Sequence, residues 1–100
     1  MLKGTIDIFI LSVLKQGDNY GYEISKAIKT KSGGEFEILE ATMYLALKRL
    51  ETQEMIEAYW GSESGGGRRK YFKLTQLGEE KLIQDTKDWK SMSKIIEKFI

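Results

Sequence analysis

The sequence predicts a mainly α-helical domain that carries one small β-hairpin. Three observations support this fold class. An amphipathic helix pattern, A-T-M-Y-L-A-L-K-R-L, starts at residue 41; two short alternating stretches then flank a glycine-rich segment, G-S-E-S-G-G-G; and apolar residues three, four or seven positions apart run through the C-terminal quarter. A chain of 100 residues is also the size of a single domain.

The first third of the chain predicts two helices separated by a G-D-N turn. The first helix is expected over residues 5–16, with Thr5 as the N-cap and Gly17 as the stop. Its apolar residues leave almost no polar face, so we expect burial on two sides, one of them against another chain. The second helix is expected over about residues 20–31, with Asn19 as its N-cap.

After a connector at residues 35–39, a third helix is predicted over about residues 41–54. Its core face is a stripe of apolar residues at helical spacing, namely Met43, Ala46, Leu47 and Leu50. The opposite face and its flanks carry polar or isolated apolar residues, namely Ala41, Thr42, Tyr44, Leu45, Lys48, Arg49 and Thr52. This face is either a simple solvated surface or a surface that reads DNA bases, with Leu45 suited to a thymine methyl group.

The hairpin is predicted to have strands at about residues 56–61 and 69–75, with a flexible glycine-rich tip that includes residues 65–67. Three cations, Arg68, Arg69 and Lys70, follow the tip and suit a segment that tracks a sugar-phosphate backbone. A nucleotide-binding loop is disfavoured, because the Lys-Ser/Thr ending is missing and no helix follows. The hairpin aromatics are expected to pack beneath the strands rather than stack on bases; they are Tyr59, Trp60 and Tyr71.

A fourth helix is predicted to start after Thr75 as its N-cap and to run towards the end of the chain. Its apolar residues form a seam with Asp85 at one position, and the seam is expected to pair two chains together with Phe9 of the first helix. The seam consists of Leu82, Trp89, Met92, Ile96 and Phe99. The order of elements is that of a winged helix-turn-helix: residues 1–75 hold three helices and the wing, and residues 76–100 form a dimerisation helix within one compact domain.

Trp89 has two interpretations that can hold together. It is a core residue of the seam, or it forms an aromatic slot with its symmetry mate. The nearby carboxylates of Asp85 and Asp88 would favour a flat, often cationic, compound in such a slot.

Composition excludes several function classes. The chain has no cysteine and no histidine, which removes disulfides, thiolate metal sites and the commonest general base. We therefore expect no enzyme activity, no metal site and no cofactor. The net charge is only +1, which is less basic than in a typical DNA-binding domain, although residues 68–73 hold four cations and no acid.

The apolar run at residues 6–14 is not expected to be a signal peptide, because Asp7 and Ser12 interrupt it and no small-residue cleavage site follows. It is also too short to span a bilayer. The sequence therefore predicts a cytoplasmic protein with no membrane partner.

Four segments resemble the PadR family of bacterial transcriptional regulators: L-K-G-T-I-D near the start, Y-G-Y-E-I at 20–24, A-T-M-Y-L-A-L-K-R-L at 41–50 and G-G-R-R-K-Y-F-K-L-T at 66–75. Three further segments, V-L-K-Q-G-D-N-Y, Y-W-G-S-E-S and D-W-K-S-M-S-K-I-I-E, resemble a small multidrug-sensing member of that family. The resemblance implies a winged-helix dimer that represses a nearby promoter, often that of an efflux transporter, until a drug binds.

The resemblance also implies roles for individual residues. It implies DNA contacts from the third helix and from the wing cations, namely Thr42, Tyr44, Leu45, Lys48, Arg68, Arg69 and Lys70. It implies a drug pore in which Trp89 and its symmetry mate sandwich the drug, with Thr5, Asp7 and Ile8 in the wall. Three positions depart from the relatives: Leu45 stands where the family usually has proline, and Thr86 and Ser93 replace an aromatic and an acidic residue near the tryptophan.

Together these features predict a homodimeric repressor that binds a pseudo-palindromic DNA operator and releases it on binding an aromatic or cationic effector. The alternative is a winged-helix module that docks a protein partner and does not bind DNA.

Overall fold

Four helices and a three-stranded antiparallel sheet make up the part of the chain that the computed structural model describes, residues 4–61 and 67–100. The helices are α1 (Thr5–Gln16), α2 (Gly21–Lys31), α3 (Glu40–Thr52) and α4 (Gln76–Glu97). The strands are β1 (Asn19–Tyr20), β2 (Ile56–Gly61) and β3 (Arg69–Leu74). The fold is mainly helical, as predicted, and none of the helices within the described ranges is long and apolar enough to cross a membrane.

The sheet has the order β1-β3-β2, so β3 is the central strand. Phe72 on β3 lies opposite Ala58 on one side and Asn19 on the other. The strand β1 was not predicted from the sequence, because two residues are too few to show an alternating pattern. Its pairing ties the turn after α1 to the wing and sets the start of α2 beside β3.

The core lies where α1, α2 and α3 meet the inner face of the sheet. Ile10 and Leu11 of α1, Ile24 of α2 and Leu50 of α3 are completely buried. The whole predicted stripe of α3 is buried with them, as α-helical periodicity requires. Leu82 of α4 joins this core at 8% exposure, so the first half of α4 packs on its own subunit.

One predicted N-cap and two predicted helix starts differ from the structure. The N-cap of α1 is Gly4, whose φ of 89° is in the left-handed region, and not Thr5. The helix α2 starts at Gly21 after Tyr20, and the Asn19 side chain accepts a hydrogen bond from the Tyr20 amide instead of capping the helix. The helix α3 starts one residue earlier than predicted and ends at Thr52. Propensity does not fix such boundaries to within one or two residues.

The start of α4 is held against the segment before β2. Thr75 caps the helix, as predicted: its Oγ1 accepts a hydrogen bond from the amide of Gly78 at 3.0 Å and donates to the carbonyls of Glu54 and Met55. A Cβ atom at Gly78 would collide with the Met55 carbonyl oxygen, so this approach requires glycine. The contact fixes the direction in which α4 leaves the wing.

Candidate functional site

A groove of about 630 Å³ separates α3 from the sheet on one face of the molecule. Its walls include Tyr44 and Lys48 from α3, and Arg69 and Lys70 from β3. The start of α2 closes the third side with Gly21 and two tyrosines. The fold therefore brings together the predicted face of α3 and the predicted wing cations, which are more than twenty residues apart in sequence.

The exposed face of α3 points its predicted side chains into solvent. Tyr44 is 59% exposed and Leu45 is 71% exposed, and Thr42 and Lys48 are exposed as well. The stripe Met43, Ala46, Leu47 and Leu50 holds the opposite side in the core. An exposed leucine between polar residues on a helix is suited to apolar contact with a base edge in a major groove.

Each wing cation within the described residues lies over an aromatic ring. The Arg68 guanidinium carbon is 5.6 Å from the Trp60 ring centroid, and that of Arg69 is 4.6 Å from the Tyr20 ring centroid. The Lys70 ammonium group is 5.6 Å from the centroid of Phe72. In each contact the cation is attracted to the face of the ring. The flexibility predicted for the glycine tip at residues 65–67 stays a prediction, and positions 65 and 66 lie outside the described residues.

The hairpin aromatics divide between packing and exposure. Tyr59 and Tyr71 stack with ring centroids 5.7 Å apart, but they do so on the sheet face opposite Ala58 and Phe72, and Tyr59 is 42% exposed, so the prediction that they pack under the wing is wrong. The Tyr59 hydroxyl donates a hydrogen bond to Asp18, and this bond raises the pKa of Tyr59 above its ordinary value.

Trp60 shares the inner sheet face with Ile56 and Ala58, but it lies beyond the end of the core and is 58% exposed beside Arg68. The exposure of Trp60 was not predicted, because strand alternation gives the face but not where the core ends.

A second, more open cleft of about 910 Å³ lies between α1, α3 and α4. Five residues predicted to contact a ligand line it together, namely Thr5, Asp7, Ile8, Asp85 and Trp89. Thr86 and Ser93 are half-buried and are not in its wall as the structure describes it. Arg49, Gln53 and Lys81 also line the cleft, which the sequence did not indicate. Their place in the wall depends on how α3 packs against α1 and α4.

Arg49 is the clearest correction to the predicted DNA-binding set. Its Nη2 and Nη1 atoms donate hydrogen bonds to Oδ1 and Oδ2 of Asp7 at 2.6 and 3.0 Å. The pair places the guanidinium in the cleft and away from the groove lined by Tyr44 and Lys48. The hydrogen bonds to Asp7 also raise the pKa of Arg49 above its ordinary value, so the guanidinium stays charged.

The C-terminal half of α4 presents an apolar stripe to solvent. Its members are between 44% and 84% exposed, namely Trp89, Met92, Ile96 and Phe99, and Ile95 and Ile100 add to the same end of the chain. Leu82, predicted to belong to this interface, is buried in its own subunit, and that prediction is corrected. Phe9 packs edge-to-face on Phe36 with centroids 4.9 Å apart and is half-buried, so only part of its ring is open to a partner.

Within residues 4–61 and 67–100, no group of three or more acidic, histidine or cysteine side chains is arranged to hold a metal ion. The acidic side chains near the cleft are already engaged: Asp7 by Arg49 and Lys81, Asp85 by Lys81, and Asp88 by the amide of Gln84.

The three helices, the wing and the long last helix define a winged helix-turn-helix protein. The sequence profile of the transcriptional regulator PadR-like family matches residues 10–84. The chain belongs to this family, whose members are transcriptional regulators and not enzymes, and this confirms the family and the non-enzymatic class predicted from the sequence.

Solved structures agree with this assignment, and one curated protein is similar along the whole chain. A transcriptional regulator from Clostridium thermocellum is 41% identical with a TM-score of 0.91, over 98% of this chain and 95% of that one. A PadR family regulator from Clostridium difficile is 43% identical with a TM-score of 0.83, over 96% and 98% of the two chains. An uncharacterised protein of Lysinibacillus sphaericus is 42% identical over all of this chain and 92% of its own length.

One structural neighbour was solved with nucleic acid. Bacillus subtilis PadR in complex with operator DNA has a TM-score of 0.72 over 80% of this chain and 45% of that chain. At 24% identity the likeness concerns the fold alone.

Proposed function

We propose that this protein is a homodimeric DNA-binding transcriptional repressor whose operator affinity is lowered by a flat aromatic compound bound near the dimer interface. In this proposal residues 1–75 read the DNA and residues 76–100 join the two subunits. Two copies of α3 would enter successive major grooves about 34 Å apart on a pseudo-palindromic operator.

The observation that carries DNA binding is the groove between α3 and β3. It brings the exposed face with Tyr44 and Lys48 next to Arg69 and Lys70 on one side of the molecule. The net charge of +1 does not oppose this, because phosphate attraction depends on where the cations lie. In the family, Bacillus subtilis PadR was solved with its operator.

The proposal of a dimer is supported by the apolar stripe of α4. Trp89, Met92 and Ile96 each leave about half of their surface in solvent within one helix face, and Phe99 leaves more. Such a contiguous apolar face on a chain of 100 residues is typical of a surface that another protein covers. A second copy fits best, because a two-fold axis would set the two stripes against each other.

The proposal of an effector is supported by the cleft beside this stripe and by a resemblance to the multidrug-sensing repressor LmrR. Trp89 stands where the stripe of α4 meets the cleft, so its symmetry mate would lie close by in the proposed dimer. Paired indole faces with carboxylates nearby suit a flat cation. Asp88, in the cleft wall, accepts a hydrogen bond from the neutral Gln84 side chain.

Fluorescence anisotropy with a labelled duplex of the gene's own upstream DNA tests the DNA proposal. We expect the affinity to fall steeply with salt concentration, because each phosphate contact releases a counterion. Lys70→Ala should flatten the salt dependence by about one unit of slope. Lys29→Ala removes the same charge from a surface pair with Glu37 outside the groove, and should leave the slope unchanged.

Leu45→Ala should instead change the preference among operator variants while leaving the salt slope intact. A complex that ignores salt, or no affinity for any duplex, would contradict DNA recognition and would favour a protein-docking module.

Tryptophan substitutions test the effector proposal, with rhodamine 6G as the flat aromatic cation. Trp89→Ala should weaken dye binding at least tenfold, whereas Trp60→Ala removes an indole outside the cleft and should change it less than twofold. Equal effects of the two substitutions would contradict a site at Trp89.

A further inference from the structure

The charged network in the wall of the cleft joins three helices. Asp7 of α1 is the buried charged residue among the described residues, at 5% exposure. Arg49 of α3 binds it through both guanidinium nitrogens, and Lys81 of α4 lies 3.8 Å from its second oxygen. Lys81 continues to Asp85 at 2.9 Å. The chain Arg49–Asp7–Lys81–Asp85 therefore runs across the floor between α3, α1 and α4.

Arg49 lies on the same helix as the face proposed to read DNA. Successive residues of an α-helix are rotated by about 100°, so Lys48 points to the groove while Arg49 points to the cleft. Gln53, one turn later, lines the cleft as well. The cleft is thus walled by the same helix whose neighbouring exposed face would enter the major groove.

The members of this network differ in their access to a ligand. The Asp7 side chain is 7% exposed, whereas that of Arg49 is 47% exposed and forms part of the open wall. A compound in the cleft therefore has more direct access to Arg49 than to Asp7. Three carboxylates, Asp7, Asp85 and Asp88, face two cations in this wall, so its charge balance favours a positively charged guest.

We infer that the Asp7–Arg49 ion pair couples the cleft to the DNA-reading helix, and that an aromatic cation acts by replacing the Arg49 guanidinium as the partner of Asp7. This inference rests on the proposed function. While the pair is intact it fixes α3 against α1. A guest cation beside Asp7 keeps the buried carboxylate neutralised and frees Arg49, so α3 loses its tie to α1. The guest then binds the released state better than the fixed state, which is what coupling requires.

The test measures a coupling factor, the ratio of the dissociation constants for DNA with saturating rhodamine 6G and without dye. We expect a factor of about ten or more for the unmodified protein, within the range usual for linked sites. The double variant D7N/R49Q removes both charges together, so no unpaired charge is left buried. It should fold and bind DNA, should bind dye more weakly because the Asp7 carboxylate is gone, and should show a coupling factor close to one at saturating dye.

A control variant breaks an ion pair that joins two helices outside the cleft. K15Q/E79Q removes the contact between α1 and α4 at 3.3 Å and should keep the full coupling factor. If the double variant fails to fold, R49K provides the second test: a lysine keeps the charge but cannot donate in bidentate fashion, so coupling should fall at least threefold while folding is retained.

The charge of the guest is tested with sulforhodamine B, which has the same ring system and a net negative charge. It should bind at least tenfold more weakly than rhodamine 6G and should not weaken DNA binding. Three outcomes would overturn the inference. The coupling factor is unchanged in D7N/R49Q or R49K, the two dyes weaken DNA binding equally, or the unmodified protein binds both DNA and dye without coupling. Loss of DNA binding or dye binding in the unmodified protein would instead contradict the proposed function itself.

Discussion

The Lys70 ammonium group lies 3.4 Å from a carboxylate oxygen of Glu51, across the groove between β3 and α3. Both side chains are partly exposed, so the pair contributes little to folding. Its position matters more, because a phosphate in the groove would have to compete with Glu51 for Lys70.

Glu51→Gln should therefore raise DNA affinity by about two- to fivefold, in keeping with the modest strength of a surface ion pair. Titration of labelled operator DNA at fixed salt measures this effect. Glu37→Gln removes an equal charge from the Lys29 pair outside the groove and serves as the control. An equal gain in both variants would show that only net charge matters, and would contradict a role for the groove.

Tyr59 and Asp18 give a prediction for alkaline pH. The hydroxyl donates to Asp18 at 2.7 Å, which favours the protonated phenol and raises the pKa of Tyr59 above 10.0. The stabilisation by this bond is present below the pKa of the unfolded chain and is lost as the pH rises through the higher pKa of the folded state.

Carbon-13 NMR of the tyrosine ring carbons follows this titration. Asp18→Asn should lower the pKa of Tyr59 towards its ordinary value, whereas Glu57→Gln removes a nearby charge on β2 without removing the hydrogen bond. A Tyr59 titration that Asp18→Asn leaves unmoved would refute the assigned bond.

The residue that follows the C-cap of α3 has a strained backbone conformation, and a glycine there would relieve the strain. Glu54 has a φ of 62°, in the left-handed region, and the amides of Glu54 and Met55 close a Schellman motif on Glu51 and Leu50. The same motif ends α2 with Gly33, whose φ is 66°, in the equivalent place.

We expect Glu54→Gly to raise the free energy of unfolding by about 0.5–1 kcal/mol, because glycine adopts this conformation without a Cβ penalty. Gly33→Ala should lower it by about 1 kcal/mol for the opposite reason. Urea denaturation measures both changes. Glu54→Ala keeps the backbone strain, so an equal gain from that variant would trace the effect to charge instead.

An alanine at position 78 should destabilise the protein, although helix propensity alone would favour it. Alanine normally favours a helix over glycine, yet a Cβ here would collide with the Met55 carbonyl oxygen. Gly78→Ala should lower the free energy of unfolding by about 1–3 kcal/mol, as overpacked sites do.

The control is Gly21→Ala at the start of α2, where the added Cβ would meet Leu47 at an ordinary 3.7 Å. Its effect should stay within about 0.5 kcal/mol. Thermal unfolding followed by circular dichroism distinguishes the two, and similar losses in both variants would argue against the close approach at Met55.

Periodicity predicted most of the fold because the elements that form the core have clear patterns. The bounds of α1 and β2 agree with the sequence, and so does the cap at Thr75. The strand β1 was missed, since its two residues pair only through the tertiary fold.

The site was predictable in part for a related reason. Tyr44 and Lys48 belong to a face that helical spacing defines, and the structure exposes that face. Arg49 stands beside Lys48 in the sequence, but its partner Asp7 is 42 positions away, and only packing of α3 against α1 brings the two together. Leu82 has the spacing of the seam, although the core of its own subunit covers it.

Sedimentation equilibrium of the unmodified protein at micromolar concentration tests the central proposal most directly. Two subunits joined through α4 and α1 should give twice the 11.5 kDa mass of one chain, and this mass is required for paired recognition of an operator and for a cleft completed by two copies of Trp89. A well-folded species with the mass of a single chain would contradict both.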